Sequence, residues 1–275
     1  MLEIDRWPEM RDPVLVVALS GWVDAGLAGA GAAALLSDQL GSASEFGRVD
    51  LTDLVDLQQT RPSVRLVDGA TREIMWPTVD LIAGRAGVDV VLCRGPEPSL
   101  RWRAFTDELV QTAQRLGVRM MFGLGGMPTL VSHRRPVTVL TTATARSLAQ
   151  EVGAWRADYT GPTGAQTALQ VAFGHAGIPG VGLWAQVPHY VSATPSPPAI
   201  SALLSRLREI AGIETDLSTL DDQVDEYLRR VEEGLSERPD VAEMVHNIEA
   251  TEDSGEIPTG DELASEIERF LREQG

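Results

Sequence analysis

The chain has 275 residues, 43% of them apolar, with one cysteine, four histidines and a net charge of −17. That length can bury a full core, the lone Cys93 excludes an internal disulfide or a cysteine-based zinc site of ordinary spacing, and no apolar stretch reaches the ~20 residues of a membrane span. Residues 201–275 carry 21 acidic residues against seven arginines, a density that repels a phosphate backbone and argues against nucleic-acid binding.

All 23 basic residues are arginine. Without lysine there is no Walker-type phosphate loop and no Schiff-base chemistry, so any anion must be met by Arg or by backbone N–H groups. The amino-terminal stretch carries Glu3 and Asp5 and lacks the apolar segment of a signal peptide. A cytoplasmic protein is expected.

In chain order, the apolar run Val14–Leu19 predicts a buried strand, and Ala25–Leu40 a helix that ends at Gly41. Arg65–Val67 and Arg72–Trp76 flank Asp68-Gly69, a strong hairpin signal. Val88–Cys93 predicts a buried strand, Arg101–Leu116 a helix, and Val118–Leu124 a second buried strand ending at Gly125-Gly126. Val137–Thr141 is a further strand, Thr163 to about Ala176 a helix, Gly180–Val187 a strand, and Pro197 or Pro198 to Ala211 a helix. Alternation with near-continuous apolar strands points to an α/β fold: a mostly parallel sheet covered on both faces, and mixed because of the hairpin.

From Asp216 the pattern changes. Leu217, Leu220, Val224, Tyr227, Val231 and Leu235 form a narrow apolar stripe on a charged helix, and Val241, Met244, Val245 and Ile248 continue in a second short one. Ala250–Pro258 reads as a polar linker, followed by the capping box Thr259–Glu262 ahead of Leu263, Ile267, Phe270 and Leu271. Residues 1–212 are therefore expected to form an α/β/α core and 213–275 an acidic helical extension. The extension either packs on the core or serves oligomerisation or a partner.

Four polar loops fall where open α/β sheets hold ligands. In Gly21-Trp22-Val23-Asp24-Ala25-Gly26, Asp24 is placed to cap the first helix, or to act as general base or ligand anchor. Gly125–Thr129 permits close backbone approach, and the Ser132-His133-Arg134-Arg135 stretch after it either binds an anion and moves a proton or meets the protein's own acidic surface. Gly161, Thr163 and Gly164 sit at a helix start that can hold an anion or simply cap the helix. His189 and Tyr190 leave a strand and line a pocket, or are hydrogen-bonded structural groups. The histidines are isolated, so no metal site is expected; there is no Gly-x-Ser-x-Gly elbow to support a serine nucleophile, and no Gly-x-Gly-x-x-Gly follows the first strand, so no cofactor is implied.

Taken together, Gly21–Gly26, Gly125–Pro136, Tyr159–Gly164 and Leu183–Ser196 resemble the proteasome assembly chaperone 2 family in its bacterial form, over about residues 10–212. The acidic, lysine-free composition suits an actinobacterial member. The resemblance implies a three-layer α/β/α domain of phosphorylase/hydrolase-like architecture, a helical carboxyl-terminal extension, self-association into a homo-oligomer, and proteasome subunits as candidate partners. Archaeal and eukaryotic relatives dock through a terminal hydrophobic-Tyr-any motif. Arg272–Gly275 has no tyrosine, so a proteasome role is expected to use another surface.

Two functions follow. The first is a non-enzymatic assembly or interaction protein. The second is a small-molecule enzyme or sensor with a phosphorylase-like pocket for an anionic or nucleoside-like ligand. Its site would draw on Gly21, Trp22, Asp24, Gly125, Gly126, His133, Arg134, Gly161, Thr163, Gly164, His189 and Tyr190, with Asp24 or His133 moving the proton and Arg134 holding the anion.

Overall fold

The structure is a computed structural model that describes residues 1–155 and 159–254, with side chains described to residue 251. Its centre is an eight-stranded sheet in the order β1-β3-β6-β7-β2-β8-β10-β9. The strands are β1 (Leu2–Ile4), β2 (Val14–Ser20), β3 (Gly41–Asp50), β6 (Thr78–Ala86), β7 (Val88–Pro96), β8 (Met120–Thr129), β9 (Val139–Ala143) and β10 (Gly180–Pro188). β7, β2, β8 and β10 form a parallel centre. The antiparallel pairings of β1, β3 and β6 on one side and β9 on the other make the sheet mixed, with five of the eight strands running in one sense.

The parallel strands are apolar on both faces because both faces are covered. Along β2, Val14, Val16 and Ala18 join one core with α1 (Ala28–Gln39) and α5 (Pro197–Ala211). Leu15, Val17 and Leu19 join a second core with α2 (Trp102–Leu116) and α4 (Ala165–His175). The fold is a three-layer α/β/α domain. A short α3 (Arg146–Glu151) adds Leu148 to the first core. Beyond it lies a helical extension, α6 (Asp221–Ser236) and α7 (Pro239–Ser254), whose Tyr227, Val231, Leu235 and Val245 form a small core of their own with Tyr190 and Val191 against it. Among the described residues no helix is long and apolar enough to cross a membrane.

Several elements differ from expectation. The outer strands β1, β3 and β6 are absent from the sequence reading. Only three of the ten β3 residues are buried, so it shows no apolar alternation, and Gly84 and Arg85 interrupt the alternation of β6. The hairpin forms as β4 (Ser63–Val67) and β5 (Ala70–Met75), yet it stands apart as its own two-stranded sheet. The antiparallel character of the main sheet therefore has another source.

β8 runs on through Gly125 and Gly126 to Thr129, so the expected glycine loop is strand, paired with β10. α7 continues through Ala250 to Ser254, where a linker was expected. The capping box at 259–262 and its apolar residues lie outside the described residues.

The first helix begins at Ala28. Ala25–Leu27 is a separate single turn, in which Gly26 (φ 65°) and Leu27 (φ 46°) are left-handed. Small residues bring α1 close to the sheet: a Cβ on Gly29 would lie 2.5 Å from the Leu124 carbonyl oxygen. Since that oxygen belongs to a central strand, neither side can yield cheaply. Gly29→Ala is expected to lower unfolding stability by about 1–3 kcal/mol, measured by denaturant titration.

Candidate functional site

The carboxyl ends of the parallel strands carry two buried helix starts, and each is met by one of the chain's own carboxylates. Asp24, only 5% exposed, accepts the Gly29 N–H at Oδ1 (2.7 Å) and the Ala30 N–H at Oδ2 (3.3 Å). It caps α1 from five and six residues away because the Ala25–Leu27 turn intervenes. Its backbone bridges to Gly126, where the Gly126 N–H donates to the Val23 carbonyl (3.1 Å). A Cβ on Gly126 would overlap the Ala25 carbonyl, and one on Gly125 the Val23 carbonyl and the Trp184 ring. The two glycines thus let the loop after β2 lie directly on β8.

The second carboxylate is Glu97, which sits just past β7. Its Oε2 accepts the Trp22 N–H (3.2 Å) and its Oε1 accepts the Ala165 N–H (2.5 Å) at the start of α4. Gly21 and Gly164 lie against the same carboxyl group. Thr163 makes no side-chain cap; the residue at the cap position is Gly164. The helix starts that could hold a phosphate are therefore filled from within. Sequence reading passes over Glu97, although a charged residue between Pro96 and Pro98 at a strand's carboxyl end is a legible signal.

His133, Arg134 and Tyr190 form a separate cluster beneath the extension. The His133 side chain is 1% exposed, with Nδ1 2.7 Å from the Tyr190 hydroxyl and Nε2 3.1 Å from Glu232 Oε1. Burial holds the His133 pKa below its ordinary value, so the ring is neutral at pH 7. The network assigns the tautomer: Tyr190 donates to Nδ1, and Nε2–H donates to Glu232. Burial pushes the Tyr190 hydroxyl up to about 12.

Arg134 forks onto Glu232 through Nε (2.6 Å) and Nη2 (2.9 Å) and reaches Glu249 through Nη1 (3.3 Å). The fork pulls the Glu232 carboxyl down to about 2. Ser132 Oγ donates to Glu249 (2.7 Å). His189, half-buried, stacks edge-on against Tyr190 with centroids 5.5 Å apart.

The expected site residues thus divide. Trp22, Thr163 and Gly164 line one cavity of about 340 Å³, together with Val23, Met127, Pro128, Tyr159, Trp155 and Trp184. It lies between α4 and the β9–β10 edge, where Leu140, Thr142, Gln170 and Val171 complete the wall. Its described lining includes no charged side chain. His133 lines a different crevice of about 80 Å³, with Ser132, Gln186 and Tyr227. Asp24, Gly125 and Gly126 stand behind the first cavity as its support. Gly161 is exposed beside the Tyr159 ring, outside the lining. Among the described residues no three His, Cys, Asp or Glu side chains gather as a metal site would need.

The four segments Gly21–Gly26, Gly125–Pro136, Tyr159–Gly164 and Leu183–Ser196 each place residues in the 340 Å³ cavity. The model of the PAC2 family matches residues 18–235. The chain belongs to the PAC2 family. It is similar to a PAC2 family protein from Streptomyces avermitilis at 40% identity, covering 85% of this chain and 100% of that one with a TM-score of 0.78. It is also similar to a proteasome-assembly chaperone homologue from Mycobacterium tuberculosis at 39% identity, with coverages of 84% and 99% and a TM-score of 0.77. An archaeal proteasome activator from Pyrococcus furiosus shares the fold at 20% identity and a TM-score of 0.68. No curated protein matches the chain.

Two measurements probe these carboxylates. Burial pushes Asp24 up to about 6, against the opposing pull of the Gly29 and Ala30 N–H groups. The folded state then holds a proton that the unfolded state, with a carboxyl near 3.8, has released. The Asp24 contribution to stability is accordingly present below pH ~4 and lost as pH rises through about 6. Asp24→Asn should remove that slope, read as the difference in unfolding free energy between wild type and variant from pH 4 to 7; a flat difference refutes the assignment.

Glu232 works in the opposite sense. Its pairing is fully present above pH ~4.5 and lost as pH falls toward 2. Arg134→Ala at neutral pH should therefore speed amide exchange across 221–254 several-fold while leaving β2, β7 and β8 protected.

Proposed function

We propose that the protein acts through binding another polypeptide, as a proteasome-assembly-chaperone-like protein with proteasome subunits as the candidate partners. One observation carries this reading. The charged groups that could do chemistry at the strand ends are engaged internally, by helix starts and by the extension, whereas a tryptophan-lined uncharged cavity stays open at the same edge. Tryptophan and tyrosine walls around a pocket suit a single large apolar anchor from a partner, the kind of contact that dominates protein interfaces. The named relative from Mycobacterium tuberculosis supports the same direction.

The cavity's volume favours a second reading, an uncharged nucleoside-like ring, because about 340 Å³ lies at the low end of the ~300–1,000 Å³ typical of ligand pockets. An anionic group finds no cation among the described lining residues, so the ring rather than a phosphate would carry the affinity.

The deciding experiment is capture by the immobilised chain of purified proteasome α-subunits from the same organism. Retention is expected, and Trp155→Ala or Val171→Arg should weaken it at least tenfold. Val171 is half exposed on α4, so its change tests the surface and not the fold. No retention, or retention indifferent to both variants, would sink the chaperone reading. Saturable quenching of tryptophan fluorescence by nucleosides alone would favour the second.

A further inference from the structure

Between α6 and the segment that follows β10 runs a groove of about 830 Å³. Val191, Pro195 and Pro197 form one wall, and Tyr227, Val231 and Leu235 of α6 form the floor. The floor opens into a notch at Gly234, which lies inside α6, where glycine is a poorer helix former than alanine. A Cβ at Gly234 would meet nothing within 4 Å, whereas one on Gly29, Gly31 or Gly126 would overlap a neighbour. No contact among the described residues accounts for a glycine at 234. A bulky side chain seated against it does.

The chain contains a matching face. Tyr227, Val231, Gly234 and Leu235 fall at i, i+4, i+7 and i+8 along α6. Leu263, Ile267, Phe270 and Leu271, beyond the described residues, repeat that spacing position for position. The connections set the direction. Only Glu237 and Arg238 join α6 to α7, so α7 doubles back along α6 and returns the chain toward the start of that helix. A segment that turns once more runs parallel to α6, and in that register Phe270 meets Gly234. Leu263 is nine residues past Ser254, a reach of up to about 30 Å, and α6 is about 24 Å long.

Charge favours the same occupant. Residues 259–275 hold five acidic residues against two arginines, so most of this acidic chain repels them. Two of the three arginines between 212 and 254, Arg230 and Arg238, line the groove and balance Glu226 and Glu237 there. Their exposed pairings with Glu226 and Asp240 are weak enough to rearrange around an acidic neighbour.

We propose that this groove is the seat of the chain's own carboxyl-terminal segment, with Leu263, Ile267, Phe270 and Leu271 laid along α6 and Phe270 in the notch at Gly234. The segment covers the groove in the free protein. Its tether gives it a millimolar effective concentration, so a polypeptide that binds here must first displace it. The proposal is independent of whether a proteasome subunit binds the tryptophan-lined cavity.

Disulfide trapping in the full chain tests the seat, and the native Cys93 is fully buried and silent. With about 1 µM chain, far below the tethered concentration, Gly234→Cys combined with Phe270→Cys should close an intrachain disulfide under mild oxidant. Gly234→Cys combined with Ser265→Cys, on the opposite side of the apolar stripe, should close it at least tenfold more slowly. Phe270→Glu leaves Gly234 in place and should speed amide exchange across α6 at least fivefold, with β2, β7 and β8 still protected. Equal trapping of the two cysteine pairs, trapping of neither, or exchange indifferent to Phe270→Glu overturns the proposal. So does a trapping rate that rises with chain concentration, which would put a second copy's segment in the groove instead.

Discussion

Two internal carboxylates organise the functional edge of this protein. Asp24 and Glu97 each sit at the positive end of a helix, where orphan N–H groups otherwise attract an external anion. Because the chain supplies that charge itself, the loop after β2 is fixed from both sides: to α1 through Asp24, and to α4 through the Glu97 bond to the Trp22 N–H. Trp22 is held in place as a result, and with it one wall of the tryptophan-lined cavity. The fold keeps the layout of a ligand-binding α/β sheet and fills its usual anion positions.

The extension is attached by the same chemistry turned outward. Glu232 on α6 and Glu249 on α7 close over the Ser132–Arg134 segment, with Arg134 forked on one and reaching the other. Beneath the fork, neutral His133 links Tyr190 to Glu232. The arrangement has the outline of a catalytic relay, but its histidine is enclosed and its carboxylate is held by an arginine. A fork over a buried ring is an attachment point for an acidic helix pair. It also explains how the acidic extension sits stably on the domain, since the pairing offsets local repulsion.

Among the described residues, apolar surface stays open at the cavity and on the hairpin, one concave and one projecting. On a chain this acidic, uncharged surface is where association is electrostatically cheapest. The chain belongs to the PAC2 family and is similar to a proteasome-assembly chaperone homologue.

How much of this was legible in the sequence follows from the range of the forces involved. Apolar runs such as Val14–Leu19 and Val90–Cys93 declare buried parallel strands because burial on both faces leaves no room for polar residues. The stripe from Leu220 to Leu235 declares a packed helix for the same local reason. Asp24 was legible as a cap and Asp68-Gly69 as a turn, each a matter of a few neighbouring residues. Partners distant in sequence were not. Glu97 reaches α4 across 68 residues and Arg134 reaches Glu232 across 98, and no local pattern records either pairing. The outer strands β1 and β3 owe their existence to the sheet beside them, and the hairpin's separation from it cannot be read from a turn signal. The sequence by itself determined the layers, the turns and the family; the tertiary structure alone decided which charges are engaged and which apolar faces stay open, because only folding sets the distances on which pairing and burial depend.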